Sequence, residues 1–286
     1  MKDIERIREE LKRDFTETIA EELIPGILHN LANPLNGIMG RTRLLQKRMA
    51  DHVRRVGAQP GATAEDLAEG CQKVVRDIDA IAQESDRLFQ LFRGISGKFY
   101  AIASTGEEPI DLSRLVEAEM QFADFYLDFK HEVTKRIQLK SGLPEVNGQV
   151  SDYSLILTAL LRYVMDSLRG KPIKEFTIST ELKDGCVLLS AEYSGGVLSE
   201  GKTRMLLDRL DDLTETGAGL GPEKRLFQAL AVAKSCGAGI GIGTRAGLDR
   251  ISLRIPCAAA AGIAAKTNGK ERIAPDCSFR RISTAD

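Results

Sequence analysis

From Leu67 to Ile95 the chain steps through Leu67, Cys71, Val74, Ile78, Ile81, Ser85, Leu88, Phe92 and Ile95. The intervals alternate between four and three residues. That is the heptad seam of a helix that packs against other helices along its whole length. A second apolar pattern precedes it at helical steps: Leu23, Ile27, Leu31, Leu35, Ile38 and Leu45. Between them, Gly57 to Ala62 reads as a turn, and Thr63 with Asp66 as an N-cap with its return partner. Two long helices joined by a short turn form an antiparallel hairpin. One hairpin is too thin to enclose a core. The pattern therefore predicts two copies paired about a two-fold axis as a four-helix bundle, and homodimerisation follows from burial alone.

Upstream, Ile4, Ile7, Leu11, Phe15, Ile19 and Leu23 form a heptad-like ladder flanked by Glu9, Glu10, Lys12 and Arg13. We read residues 1–24 as a coiled-coil segment feeding the hairpin; the alternative is an amphipathic helix packed on its own chain. Pro25-Gly26 is expected to interrupt or bend it. His29, one of three histidines, lies in the first hairpin helix, and Pro34 follows it. A proline there removes one backbone hydrogen bond, which predicts a bend just after His29. Beyond it the helix is basic, with Arg41, Arg43, Lys47, Arg48, Arg54 and Arg55 against Asp51. This face either meets an acidic partner, or pairs with the second helix and water.

Charge is balanced, 40 basic against 41 acidic residues, so bulk affinity for nucleic acid is not expected. No apolar run approaches the ~20 residues of a membrane helix, and the charged start from Lys2 argues against a signal peptide. Five dispersed cysteines without CxxC pairs point to reduced thiols in a cytoplasmic protein, with neither a disulfide framework nor a zinc site.

From Ile110 the pattern changes to alternating helices and strands. Helices are expected from Asp111 to about Phe129, from Leu155 to Arg169 behind a Ser151-Asp152 cap, and from Pro222 to Ser235. Strands are expected at Ile137–Leu139, Phe176–Leu182, Val187–Tyr193, Ile240–Gly243 and Ile251–Ile255, with Lys183-Asp184-Gly185 as a hairpin turn. This is an α/β sandwich, a mixed sheet covered by helices on one face. Ser96 to Pro109 reads as a linker, and 258–286 as a mobile tail with little to bury.

The run His29-Asn30-Leu31-Ala32-Asn33-Pro34-Leu35 resembles the H-box of two-component sensor histidine kinases. His29, Asn33, Pro34 and Leu35 match; Asn30 stands where the family usually has an acid. The region from Ile110 to Pro256 resembles that family's GHKL-type ATP-binding domain. The resemblance implies a dimerisation and phosphoacceptor domain at 25–98 and an ATP-binding domain at 107–257. It implies that His29 accepts a phosphoryl group and that Asn33 positions a water against a partner's acyl phosphate. It also implies ATP and Mg2+ as cofactors and a response-regulator receiver domain as partner.

Gly217-Ala218-Gly219-Leu220-Gly221 before a helix resembles the second glycine box, where backbone N–H groups approach phosphate. A flexible glycine loop closing a lid is the alternative. Glu192-Tyr193-Ser194-Gly195-Gly196 lies where the first glycine box belongs. Tyr193 replaces its adenine-reading aspartate, Gly195 is retained and Val197 stands at the last glycine. In the helix before it, Tyr163 replaces the magnesium-binding asparagine. Asp166, one turn on, is either a metal ligand or a solvated helix charge. The resemblance thus implies an autokinase passing phosphate from ATP through His29 to a response regulator. The altered boxes leave two alternatives: a degenerate phosphotransfer or scaffold protein, or a dimeric interaction module.

Overall fold

The computed structural model describes residues 2–58, 64–196, 198–211, 217 and 219–258. Most of the turn expected at 57–62, the cap at Thr63, Val197, Ala218 and the tail from 259 lie outside the described residues. The chain divides into a helical unit, Glu22–Gly97, and an α/β unit, Met1–Glu21 with Lys98–Asp286.

Helix α1 (Lys2–Thr18) leads through a π-helical turn, Ile19–Leu23, into α2 (Ile24–Ala58). Pro25 accounts for the turn. It brings no N–H, and its ring crowds the carbonyl four residues back, so the ladder widens there. Helix α2 continues through Pro34 to Ala58. Helix α3 (Ala64–Ala103) runs past the end expected near Ile95, so half of the supposed linker is helical.

Within the helical unit α2 and α3 lie antiparallel. Going up α2, Gly37 faces Glu84, Arg48 pairs with Asp77, and His52 sits over Gly70. The face of α3 turned inward carries Val74, Asp77, Ile81, Glu84 and Leu88. The heptad seam is therefore split. Val74, Ile81, Leu88 and Ile95 are partly covered, whereas Cys71, Ile78, Ser85 and Phe92 are exposed. A seam repeating every 3.5 residues points between two neighbouring helices, and one hairpin supplies only one of them. On α2, Leu23, Asn30 and Pro34 are buried while Ile24, Leu28, Leu35 and Met39 remain exposed.

In the α/β unit the ladder of α1 is buried: Ile7 is fully covered, and Leu11 and Phe15 nearly so. The ladder read as a coiled-coil seam is thus covered by this chain's own α/β unit. The aromatic ring of Phe15 lies 6.4 Å from Phe99 and 6.1 Å from Phe122 between centroids. Arg8 binds both oxygens of Asp152, each at 2.8 Å. Complementary apolar and charged side chains favour this site over solvent.

Strand β1 (Glu107–Ile110) pairs antiparallel with β3 (Val146–Gln149), a pairing absent from the sequence reading. The main sheet has five strands in the order β2-β4-β5-β7-β6. They are β2 (Thr134–Leu139), β4 (Glu175–Lys183), β5 (Cys186–Tyr193), β6 (Gly239–Arg245) and β7 (Leu248–Pro256). Only β2 and β4 run parallel. The β4–β5 turn places Asp184 and Gly185 at φ 51° and 77°, the left-handed pair that a two-residue hairpin turn needs.

The expected helix after Asp111 is broken into α4 (Leu112–Ala123) and α5 (Leu127–Glu132). Helix α6 (Val150–Leu168) is nearly wholly buried. Its Leu157, Leu160, Leu161 and Val164 face Phe176, Ile178, Leu189, Ala191, Ile251 and Leu253 of the sheet. Asp152 does not cap it; that carboxylate is taken by Arg8. Helix α7 (Glu200–Asp211) was not expected, and a 3-10 turn, Gly221–Glu223, precedes α8 (Lys224–Ser235). Cys71, Cys236 and Cys257 are free thiols. Among the described residues no helix is long and apolar enough to cross a membrane.

Candidate functional site

In the helical unit, His29 and Asn33 are both exposed on α2. They are four residues apart, so they share one face of the helix. Asn30, one residue beyond His29, is buried, 6% exposed, as the 100° step between successive helical residues requires. The stretch therefore offers an imidazole and a carboxamide to solvent, with Asn30 turned into the hairpin. An exposed imidazole is a competent nucleophile toward phosphorus.

In the α/β unit, three of the other candidate residues, Tyr163, Asp166 and Gly221, line one groove of about 860 Å³, whereas Gly195, Gly217, Gly219 and Tyr193 are not among its lining residues. Tyr163 and Asp166 from α6, Gly221 before α8, and Lys224 and Arg225 at the start of α8 line it. Gly217, Gly219 and Gly221 all have positive φ, at 78°, 80° and 55°. Such a backbone suits glycine and lets N–H groups approach an anion. Gly217 also lies under Phe227, where a Cβ would come within 2.9 Å of the ring.

Behind the groove the two tyrosines form an edge-on pair. The Tyr163 and Tyr193 rings are 6.4 Å apart at 89°. Both are buried, and burial pushes the Tyr163 phenol up to about 12 and the Tyr193 phenol higher still. They are neutral phenols at any ordinary pH. The Tyr193 ring also fills the space over Gly195, where a Cβ would meet it at 2.7 Å. Asp249, opposite Tyr193 across β5 and β7, is buried and accepts a hydrogen bond from the Leu198 amide at 3.3 Å.

No family model matches the sequence. The chain is 22% identical over 239 residues to the sensory histidine kinase/phosphatase NtrB of Proteus hauseri, a match covering 83% of this chain. The chain spans 58% of the length of that curated relative. Its structure is also similar to the Acinetobacter baumannii histidine kinase AdeS, with 15% identity and a TM-score of 0.40, covering 80% of this chain and 98% of that one. The catalytic domain of histidine kinase ThkA gives 12% identity and a TM-score of 0.44, covering 54% of this chain and 97% of that one.

The resemblance to sensor histidine kinases implies ATP and Mg2+ as cofactors. The polyphosphate end fits: Lys224 and Arg225 stand beside the glycine-rich turn and already hold carboxylates. Magnesium does not fit the residues present. The Asp166 carboxylate accepts from Arg225 at 2.8 Å and lies 3.5 Å from Arg169, and Tyr163 offers only a buried neutral phenol. Hard divalent cations need several oxygen donors free of competing cations. Among the described residues no three His, Cys, Asp or Glu side chains converge as a metal site.

Lys224 and Arg225 were not singled out from the sequence, although they stand three and four residues after Gly221. Nor were their partners. Asp14 lies 211 residues from Arg225 in the chain, and no local pattern announces such a contact.

Proposed function

We propose that this chain is a histidine kinase-like phosphotransfer protein of a two-component system, in which His29 exchanges a phosphoryl group with an aspartate of a response-regulator receiver domain. The exposed imidazole of His29, with Asn33 on the same helical face, is the observation that carries this reading. The imidazole attacks phosphorus of the receiver's aspartyl phosphate. A P–N bond forms, the P–O bond to the aspartate breaks, and the carboxylate leaves; the reverse step recharges the receiver. Asn33 is placed to orient a water in the competing hydrolysis.

The protein acts as a homodimer in the cytoplasm. The uncovered halves of the α2 and α3 seams support pairing, because a second hairpin would cover them. The groove beside Gly221 takes the polyphosphate end of a nucleotide, supported by Lys224, Arg225 and the left-handed glycines.

A second reading is favoured by one observation, the buried Tyr163–Tyr193 pair. By the resemblance, Tyr193 stands in for the family's adenine-reading aspartate and Tyr163 for its magnesium-binding asparagine. On that reading the α/β unit does not deliver phosphate from ATP, and His29 relays it between other proteins. Incubation with labelled MgATP, and separately with a phosphorylated receiver domain, tests both. Label on His29 from either donor supports phosphotransfer; label from the receiver alone selects the relay. Label from neither rejects His29 as a phosphoacceptor.

A further inference from the structure

Two cations of the groove, Lys224 and Arg225, already have counter-charges supplied by α1. Glu10 lies 3.0 Å from the Lys224 ammonium and accepts a hydrogen bond from the Gln228 amide at 2.7 Å. Asp14 takes both faces of the Arg225 fork, from Nε at 3.0 Å and Nη2 at 2.9 Å. The remaining Arg225 nitrogen, Nη1, binds Asp166 at 2.8 Å. Both cationic side chains at the start of α8 are thus engaged by carboxylates.

These carboxylates are presented by a rigid element. Ile7, Leu11 and Phe15 are buried on the flank of α1 adjacent to Glu10 and Asp14, and the Arg8–Asp152 fork fixes its first half. The buried apolar stripe thus anchors α1 in place, with Glu10 and Asp14 held against the start of α8. Glu17, one turn further, also lines the groove but reaches only Arg13, at 3.9 Å.

We propose that α1 is a built-in competitor for the polyphosphate groove, in which the carboxylates of Glu10 and Asp14 stand in for phosphate oxygens on Lys224, Arg225 and Gln228. An incoming polyphosphate takes these donors from α1, and the arrangement seen here is the anion-excluding state. The inference rests on the reading that this groove accepts polyphosphate. It goes further in assigning α1 a role as internal inhibitor. The physical reason is that a ligand's apparent affinity falls by whatever free energy is needed to break contacts that the empty site already makes.

Calorimetric titration with inorganic tripolyphosphate, and with ATP in the presence of EDTA, tests the proposal on the full chain. The two titrants separate the shared phosphate chain from any contribution of the base. The Glu10→Gln, Asp14→Asn double variant is expected to bind both titrants about ten-fold more tightly than wild type, the scale of two part-exposed charge contacts. Glu17→Gln removes the same kind of charge from the same groove without touching α8, and is expected to change affinity less than two-fold. Asp14→Asn alone, which keeps Glu10 in place, is expected to give about a three-fold gain and serves if the double variant does not fold. Equal affinity of wild type and the Glu10 and Asp14 variants overturns the competitor role while leaving the groove as a polyphosphate site. So does an equal gain from Glu17→Gln. Absence of binding by wild type and every variant overturns both the groove reading and the competitor that rests on it.

Discussion

Replacing Phe92 with alanine should dissociate the protein without unfolding it. Phe92 lies on the seam of α3 and is 53% exposed in the single chain. A phenylalanine offers about 200 Å² in all, so about 100 Å² awaits cover on each copy. Two copies give roughly 200 Å², worth about 5 kcal/mol at ~25 cal/mol per Å² as an upper value. Alanine keeps the Cβ, and neighbouring side chains relax, so a loss of about 3 kcal/mol is the working figure, or roughly two decades in the dimer dissociation constant. Sedimentation equilibrium over a concentration series reads this directly, with circular dichroism as a check on helix content. Ile173→Ala is the control: that side chain is 63% exposed but belongs to the α/β unit and not to the seam. A wild type that stays monomeric, or a Phe92→Ala dimer as tight as wild type, refutes the argument that half a seam implies a second hairpin.

Two further outcomes follow from buried charge. Lys98 and Glu119 pair at 2.5 Å, only 2% and 4% exposed, with Ser154 and Thr158 completing the cluster. Lys98→Met leaves the Glu119 carboxylate buried without its cation and should cost about 3–5 kcal/mol in urea denaturation. Lys98→Met with Glu119→Gln should recover much of that loss, and a double variant no better than the single would contradict the charge argument. Burial and the neighbouring Asp152 carboxylate push the Cys236 thiol up to about 12, so at pH 8 almost none of it is thiolate. Cys236 should therefore resist alkylation until the pH rises toward 12 or the protein unfolds; mass spectrometry of a timed reaction with iodoacetamide across a pH series checks this.

Much of this architecture was legible because its signals are local and periodic. The α2–α3 hairpin announces itself by alternating steps of three and four, and the Asp184-Gly185 turn by its left-handed pair. What was not legible depends on contacts distant in sequence. The ladder of α1 has the period of a coiled coil, but periodicity states that a face is buried, not what buries it. Asp152 has the form of a helix cap, yet Arg8, 144 residues away, claims its carboxylate. Strand β1 is too short and polar to show a pattern, and exists because β3 lies beside it. At the site, the tyrosines at 163 and 193 were visible as substitutions. Only the fold shows that their rings pack on one another and over Gly195.

The central claim is that the imidazole of His29 is the one that carries phosphate. Phosphorus-31 NMR after incubation with a phosphorylated receiver domain, at alkaline pH where phosphohistidine persists, tests it most directly. The account predicts one phosphoramidate resonance that is retained in His52→Ala and His131→Ala and lost in His29→Ala. A resonance that survives His29→Ala, or its absence from the wild type, would contradict it.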